Sequence, residues 1–362
     1  MREGHCDSFE TKMRTPLLQP PDFLGLMLTS RCLSRCGHCL YNCGPDRREK
    51  LTPMDIEALL SDLLELGLGH IPVHLGGGEP FLAFPLLLAA AARLTRMGFR
   101  IDFVETGGSW FASKQDARAR FLALQAAGVR RILVSADPFH QSFVAPSAVR
   151  AILDAASGIF GTDNVLLNSP QLLALVESLS PEKSLAFGEF VASAGRESAA
   201  SALLAHMRPL QIAGRAPGTL KDFFPRFEAG TLGEDCGLRV IGTRKWHFGP
   251  GRFVQTGYCA GLAFPLKNGL ARWFRSFNLA DWPVVRVLAG DGLQALVSLA
   301  GEDAGFRPDP EGYLSACHLC QEARLALWKL GRYEELGPDG FYQELLRESK
   351  PESCEEKEGE KR

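Results

Sequence analysis

The chain has 362 residues, of which 46% are hydrophobic and 23% charged, a composition typical of a globular protein with a substantial buried core. Its formal net charge is −2, so we expect no general attraction to nucleic acid or to anionic lipid. The longest run without Lys, Arg, Asp or Glu, Phe253–Leu266, is too short and too polar to span a membrane. We therefore expect a cytoplasmic protein without a membrane segment.

Residues 1–22 carry charges and no continuous apolar segment, and they are predicted to form a poorly ordered lead-in. From Phe23 onward, short apolar runs alternate with helical segments. The predicted strands are Phe23–Thr29, Ile71–Leu75, Ile101–Thr106, Arg131–Ser135, Val165–Asn168 and Pro209–Ala213. Such alternation predicts an α/β fold with a parallel sheet and helices outside it. Six units are fewer than a complete barrel needs, so we expect a partial (β/α)6 TIM-like barrel.

The first helix is predicted to begin at Thr52, with Pro53 in its first turn and Asp55 near the positive end of the helix. Further helices are predicted at Leu82–Met97, Gln115–Ala127 and Pro146–Ala156, and two more within Pro181–His206.

The alternation ends at Ala216-Pro217-Gly218, which predicts a domain boundary. We expect a core domain at 23–216, a smaller C-terminal α+β extension at 217–349 and a disordered charged tail at 350–362. Within the extension, Arg239–Thr256 predicts a β-hairpin turning at Gly249-Pro250-Gly251, and a helix is predicted from His318 to Leu330.

The chain has ten cysteines, at positions 6, 32, 36, 39, 43, 236, 259, 317, 320 and 354. In a cytoplasmic protein such a set indicates metal ligands more than disulfides. Cys32, Cys36 and Cys39 follow the first predicted strand with the spacing C-x3-C-x2-C. Three thiolates so close together can hold three irons of an iron–sulfur cube and leave the fourth iron open to another ligand.

Two other interpretations of this cluster remain open. One is a structural zinc site with Cys43 as fourth ligand, although such sites more often combine two C-x2-C pairs. The other is a redox pair of Cys36 and Cys39, which would leave Cys32 unexplained. We expect Cys43 to be a thiol near the cluster and not a ligand.

A C-x3-C-x2-C loop directly after the first strand of an incomplete barrel resembles the radical S-adenosylmethionine superfamily. The resemblance covers roughly residues 23–216. It implies that Cys32, Cys36 and Cys39 hold a [4Fe–4S] cluster whose fourth iron binds S-adenosylmethionine. It also implies an external electron donor, such as flavodoxin or ferredoxin, and a 5′-deoxyadenosyl radical that takes hydrogen from a substrate. His38 precedes the third cysteine, where many members have an aromatic residue.

Gly77, Gly78, Glu79 and Pro80 end the second predicted strand and resemble the GGEP motif of this superfamily. The resemblance implies that they bind the amino group of the cofactor's methionine. Glycine permits a close approach of backbone to ligand, and Glu79 offers an acceptor to an ammonium group. Without its position after the second strand, the motif would read only as a glycine-rich turn.

The later strand ends carry weaker matches. Glu105-Thr106-Gly107-Gly108 looks like the superfamily's "TNG" turn, and Val134-Ser135-Ala136-Asp137 is similar to its "VSxD" pattern. Polar side chains at the carboxyl ends of strands are expected near a barrel active site. The candidates for contacts to cofactor or substrate are Ser135, Asp137, Asn168 and Arg215. The alternatives are turn-capping roles for Ser135 and Asp137 and a solvated Arg215. No catalytic residue is assigned.

Cys236, Cys259, Cys317 and Cys320 lie beyond the predicted barrel. Their arrangement around the predicted hairpin resembles the SPASM or twitch extensions of the superfamily, which implies an auxiliary [4Fe–4S] cluster. Zinc is the main alternative at four thiolates, and unliganded core cysteines are another. His247 and His318 are alternative ligands, although we expect His318 to point away. Cys6 and Cys354 are assigned no role.

The sequence therefore predicts a radical S-adenosylmethionine oxidoreductase or maturase with an unidentified substrate, either a peptide or protein side chain or a small molecule. The alternative is a non-enzymatic iron–sulfur electron carrier or metal-binding scaffold. A carrier would need neither the Gly77–Pro80 turn nor a barrel, which disfavours it.

Overall fold

The computed structural model describes residues 18–207, 212–233 and 236–348. The predicted tail, most of the lead-in, Cys6 and Cys354 lie outside these residues. The strands are β1 Phe23–Met27, β2 Val73–Gly76, β3 Ile101–Thr106, β4 Ile132–Ser135, β5 Val165–Asn168, β6 Lys245–Gly249, β7 Phe253–Thr256 and β8 Phe264–Pro265.

The helices of the first half are α1 Pro53–Glu65, α2 Phe84–Arg96, α3 Lys114–Ala126, α4 Pro146–Phe160, α5 Pro170–Leu179, α6 Phe187–Ala194 and α7 Arg196–His206. Those of the second half are α8 Ala216–Leu220, α9 Gly237–Val240, α10 Leu270–Arg275, α11 Pro283–Gly290, α12 Gly292–Ala304, α13 Ala316–Trp328 and α14 Asp339–Glu348. Short 3-10 turns lie at Pro80–Ala83, Thr162–Asn164, Ala229–Thr231 and Leu279–Asp281.

All eight strands belong to one sheet in the order β5-β4-β3-β2-β1-β6-β7-β8. The strands from β1 to β5 pair in parallel with their neighbours, and helices connect them. The predicted α/β fold with a parallel sheet is thus confirmed.

The sixth parallel strand comes from an unexpected part of the chain. Pro209–Gln211 of the predicted strand Pro209–Ala213 lie outside the described residues, and Ile212 and Ala213 belong to no strand. Instead β6, the first arm of the predicted hairpin, pairs in parallel with β1, and β7 pairs with β6 in antiparallel fashion. The sheet therefore combines strands from before and after the predicted domain boundary at 216.

Alternation along the strands separates the two faces of the sheet. Leu24 and Leu26 of β1 are fully buried in the same apolar core as Ile56 and Leu59 of α1. Because successive side chains of a strand point to opposite faces of the sheet, the residues that alternate with Leu24 and Leu26 face the other side. Phe23 and Met27 there line a cavity, so helices cover one face and the other face encloses open space.

The start of α1 matches the sequence prediction. Thr52 is the N-cap, its hydroxyl accepts from the Asp55 N–H at 3.2 Å, and the Asp55 carboxylate accepts from the Thr52 N–H at 2.9 Å. This reciprocal pair is a capping box, which satisfies backbone donors that the helix itself leaves unpaired.

No helix within the described ranges is both long and apolar enough to cross a lipid bilayer.

We predict that Thr52→Ala lowers the free energy of unfolding by about 1 kcal/mol, because one backbone donor at the start of α1 loses its acceptor. Thr52→Ser keeps the hydroxyl and is the matched control. Chemical denaturation followed by circular dichroism measures both variants. Equal midpoints for the alanine and serine variants would contradict the assigned cap.

Candidate active site

The carboxyl ends of the parallel strands border a cavity of about 460 Å³. The structure brings five sets of predicted residues to its wall. They are the three clustered cysteines Cys32, Cys36 and Cys39, the glycines Gly77 and Gly78 after β2, Thr106 and Gly107 after β3, Ser135 at the end of β4 and Asn168 at the end of β5. The predicted convergence of cysteine loop and glycine turn at one edge of the sheet is therefore present.

The three thiols of the cysteine loop lie close enough to influence one another. Burial and then the charges of Cys39, Asp137 and Cys32 raise the pKa of Cys36 well above its usual range. Burial, the charge of Glu79 and, more weakly, that of Cys39 raise the pKa of Cys32 to about 11. Ionised thiolates at Cys32 and Cys36 would therefore be favoured by a cationic centre shared with Cys39, which is what a metal cluster supplies. The donor set fits the predicted cluster.

Cys43 lines the cavity beside the three thiols and supports their loop. Its backbone N–H donates to Cys39 Sγ at 3.4 Å. A hydrogen bond from the Cys43 side chain holds the pKa of Cys39 well below its usual range. This arrangement fits Cys39 as the thiolate of the pair, and the absence of Cys43 from the ligand set stays a prediction from the sequence.

Arg215 holds the backbone of this loop. Its guanidinium donates to the carbonyl of Cys36 at 3.0 Å and to that of Cys43 at 2.9 Å, and it forms an ion pair with Glu348 of α14. The Arg215 N–H donates to the carbonyl of Cys39 at 3.1 Å. Arg215 was predicted to contact a carboxylate of cofactor or substrate. The structure instead places this guanidinium among carbonyls of the cysteine loop and a carboxylate of the chain itself.

The glycine turn packs directly against the chain that leads into the cysteine loop. The Gly78 N–H donates to the carbonyl of Thr29 at 2.6 Å, and the Glu79 N–H donates to that of Arg31 at 2.8 Å. Gly77 has φ +134°, and a Cβ there would lie 2.6 Å from the Thr29 carbonyl oxygen. A Cβ at Gly78 would lie 2.3 Å from that of Arg31. Both positions therefore require glycine, and the turn and the loop fix each other.

Glu79 is fully buried, and its carboxylate serves the turn after β3. It accepts from the Thr106 hydroxyl at 3.0 and 2.9 Å and from the N–H groups of Gly107 and Gly108, each at 3.1 Å. Burial raises the pKa of Glu79 to about 7 in spite of these bonds. The carboxylate joins the β2 and β3 turns, while the backbone of Gly77 and Gly78 faces the cavity. Pro80, the last residue of the motif, is buried at the start of the Pro80–Ala83 turn.

Asp137 organises the loop after β4. Its carboxylate accepts from the backbone of Phe139 and His140, contacts the His140 ring at 2.7 Å and lies 3.6 Å from the His38 ring. Burial opposes its ionisation, but His140 and His38 hold the pKa of Asp137 well below its usual range. Asp137 thus caps a turn and orients two histidines that line the cavity. Ser135 lines the cavity as well, and its hydroxyl donates to Glu105 at 3.0 Å.

Two cavity residues carry no motif in the sequence. His74 of β2 and His247 of β6 both line the cavity, with ring centroids 5.7 Å apart. His247 had been considered an alternative ligand for the second cysteine group, but the structure places its ring in this cavity. The one sequence signal for His74 and His247 was their position in the alternation of each strand, which places their side chains on the cavity face of the sheet. His318 receives the Leu314 N–H and contacts Glu322, in agreement with the expectation that it points away.

The second cysteine group also converges. Burial and then the charges of Cys320, Cys317 and Cys236 raise the pKa of Cys259 to about 12, which places the four residues within electrostatic reach of one another. Buried Arg324 hydrogen-bonds to Cys320 and to the carbonyl of Ala260. Four thiols beside a buried cation form a donor set that fits a cluster or a zinc ion.

A side-chain amide connects the two cysteine groups. Gln321 follows Cys320 in α13, accepts from the Gly214 N–H at 2.5 Å and donates to the Gly214 carbonyl at 3.0 Å. A Cβ at Gly214 would lie 2.3 Å from the carbonyl oxygen of Cys39. Gln321, in the second turn of α13, is thus connected to the cysteine loop through Gly214.

Comparison with known proteins gives partial matches. No protein-family model matches the chain. It is 36% identical over 110 residues to the PqqA peptide cyclase of Methylorubrum populi, which is 28% of each chain. It is 33% identical over 172 residues to the GTP 3′,8-cyclase of Synechococcus elongatus, or 43% of this chain and 50% of that one.

A further match is to YydG of Bacillus subtilis, a protein assigned to peptide biosynthesis. The identity is 24% over 131 residues, which is 36% of this chain and 40% of YydG. The matched segments thus span half or less of the length of these relatives. The chain thus shares segments with such proteins, and its three-thiol loop, fixed to a glycine turn at the ends of parallel strands, is similar to the corresponding site of the radical S-adenosylmethionine superfamily.

Proposed function

We propose that this protein is an enzyme that cleaves S-adenosylmethionine reductively and abstracts hydrogen from a substrate held in the same cavity. One observation carries the proposal: Cys32, Cys36 and Cys39 share the 460 Å³ cavity with Gly77 and Gly78. A purely structural cluster would need no such open space beside its thiols. An electron carrier would need none either, so the non-enzymatic alternative is disfavoured.

When bound, the [4Fe–4S] cluster and S-adenosylmethionine supply one-electron cleavage chemistry and a 5′-deoxyadenosyl radical. The chain's own residues position this chemistry. The three cysteines would hold the cluster, and Arg215 and Cys43 keep their loop in place. The exposed backbone of Gly77 and Gly78 would approach the cofactor's methionine, and Glu79 keeps that backbone rigid through the β3 turn. Ser135 and Asn168 remain candidates for polar contacts to cofactor or substrate.

We propose a peptide or protein side chain as the substrate. The names of two relatives, the PqqA peptide cyclase and YydG, support this class. A small molecule is the competing class, and the similarity to a GTP 3′,8-cyclase is the observation in its favour. Reduction by an external flavodoxin or ferredoxin, and a cytoplasmic location, belong to the same proposal.

We also propose an auxiliary [4Fe–4S] cluster at Cys236, Cys259, Cys317 and Cys320, with zinc as the alternative metal. The convergence of the four thiols and the neighbouring Arg324 support a site with several negative charges. The proposed SPASM or twitch-like region, 217–349, would then both hold this cluster and contribute β6 to the shared sheet.

We predict that the anaerobically reconstituted and reduced protein converts S-adenosylmethionine to 5′-deoxyadenosine and methionine. Cys32→Ala, Cys36→Ala and Cys39→Ala should each abolish this product, because each removes a ligand of the cluster. Chromatography with mass detection measures the product. Cys354→Ala, at a cysteine to which no role is assigned, is the control and should retain it. Unchanged product and iron in the three alanine variants would contradict the proposal.

The auxiliary cluster predicts about eight irons and eight sulfides per chain, because each [4Fe–4S] cluster carries four of each. Double replacement of Cys317 and Cys320 by alanine should reduce both to about four while leaving the first cluster in place. Elemental and sulfide analysis of both proteins decides between the metals. About four irons plus one zinc in the unmodified chain would identify the second site as zinc.

We predict that Arg215→Leu destabilises the protein by about 2 kcal/mol or more, because the buried carbonyls of Cys36 and Cys43 lose a charged donor. The iron content should fall with it, since these carbonyls belong to the cluster loop. Arg150→Leu removes an exposed arginine that pairs with Glu177 and should cost about 1 kcal/mol or less. Thermal denaturation and iron analysis provide the measurements, and equal effects of the two variants would refute the assigned role.

A further inference from the structure

On the cavity face of the sheet, two histidines lie on either side of a glycine that has no side chain. Gly25 of β1 pairs with His74 of β2 on one side and with His247 of β6 on the other. A Cβ at Gly25 would lie 2.5 Å from the His74 ring and 2.3 Å from the His247 ring. The absence of a side chain at this position is what allows both rings to lie over β1 and face the open space.

Aromatic neighbours fix the two rings. His74 stacks between Phe23 and Phe103, at centroid distances of 5.1 and 5.0 Å. His247 lies 6.0 Å from Tyr41 and 5.7 Å from Tyr258. Rings held in this way present their nitrogen atoms in a defined direction, which is a property of a recognition site.

These rings carry buried polar atoms without partners. Within the part of the chain that the structure describes, the Nδ1 atoms of His74 and His247 and the hydroxyl of Tyr41 are buried and have no hydrogen-bond partner. Buried polar atoms in native proteins are almost always paired. Three unpaired atoms on one stretch of cavity wall therefore indicate a ligand that supplies the missing partners.

The charge of the wall restricts that ligand. Among the described residues that line the cavity there is no lysine or arginine, and Glu105 is the one carboxylate. Burial lowers the pKa of His74 to about 3 and that of His247 to about 4, so both rings are neutral near pH 7. The imidazole of His140, which also lines the cavity, already pairs with Asp137. An anionic group beside His74 and His247 would therefore find no free counter-charge, and the burial that keeps these two imidazoles neutral also penalises a cation.

We infer that His74, His247 and Tyr41 form a recognition subsite for a neutral hydrogen-bonding side chain of the substrate, such as a hydroxyl, carboxamide, phenol or indole. The inference rests on the proposed function, because it assigns the substrate class of the same cavity. The subsite selects against acidic side chains, since a carboxylate would be desolvated without a cation to pair with.

The test uses synthetic pentapeptides with alanine on both sides of one varied central residue. The reduced protein receives S-adenosylmethionine and each peptide in turn, and 5′-deoxyadenosine above the peptide-free level is measured. We expect central Ser, Thr, Asn, Gln, Tyr or Trp to stimulate the product about tenfold more than central Asp or Glu. Equal or stronger stimulation by the acidic peptides, or no stimulation by any peptide in a protein that forms 5′-deoxyadenosine without them, would overturn the inference.

Variants of His74 and His247 test whether these two rings cause the preference for neutral peptides. His74→Phe and His247→Phe keep an aromatic ring but remove the nitrogen atoms, and each should weaken binding of the preferred peptide about tenfold. His74→Gln retains a polar group and should bind more tightly than His74→Phe, which guards against a variant that merely misfolds. His70→Phe alters an exposed histidine outside the cavity and serves as the matched control with unchanged binding.

Calorimetry of peptide binding to the anaerobic protein needs no turnover, so it separates the two hypotheses. If the unmodified protein forms no 5′-deoxyadenosine but binds neutral peptides through His74 and His247, the proposed function fails and the subsite stands. If the product forms but both phenylalanine variants bind and rank the peptides as the unmodified protein does, the subsite alone is refuted.

Discussion

The architecture of this site depends on how a loop without regular secondary structure satisfies its buried carbonyl groups. Three thiols can surround one cluster only if the backbone between them leaves the helix and strand patterns, and each carbonyl released in this way needs another donor. Arg215 supplies two of these donors from its guanidinium and a third from its backbone, 179 residues after Cys36 in the sequence. Glu348 of α14 then pairs with the same guanidinium. The carbonyl groups of the cysteine loop thus find their hydrogen-bond donors in residues that are distant in the sequence.

A buried carboxyl group stabilises the glycine turn that packs against this loop. Glu79 is surrounded by the donors of Thr106, Gly107 and Gly108, so its charge is distributed over the β3 turn. The backbone of Gly77 and Gly78 consequently remains available on the cavity side. The carboxylate positions this surface from behind, and its contribution differs from the direct contact that the motif alone suggests.

The sequence predicted the local structure well, because periodicity and capping are local properties. β3 and β5 have their predicted bounds, and α1 begins at its predicted cap. The cysteine spacing and the glycine turn likewise pointed to residues that the structure places on the wall of one cavity. In contrast, the pairing of β6 with β1 is a choice of partner between segments more than two hundred residues apart, and hydrophobic pattern carries no information on that choice.

The roles of single polar residues were also beyond the reach of the sequence. Arg215 at the end of a predicted strand resembles a ligand-binding residue, and only its surroundings show that it bonds to carbonyl groups of the cysteine loop. His74 and His247 belong to no spacing motif, because each is a single residue on the cavity face of its own strand. Their significance arises from Gly25, whose missing side chain brings them together, and a lone glycine in a strand has many possible explanations.

The bond pair between Gln321 and Gly214 restricts how such a protein can change over evolutionary time. It joins residues 107 positions apart, with one partner beside Cys320 and the other against the Cys39 carbonyl. A recombination event that exchanged the C-terminal region for that of a relative would have to bring a matching amide at this position. Chimeras joined between the two regions should therefore succeed mainly when both residues come from the same parent.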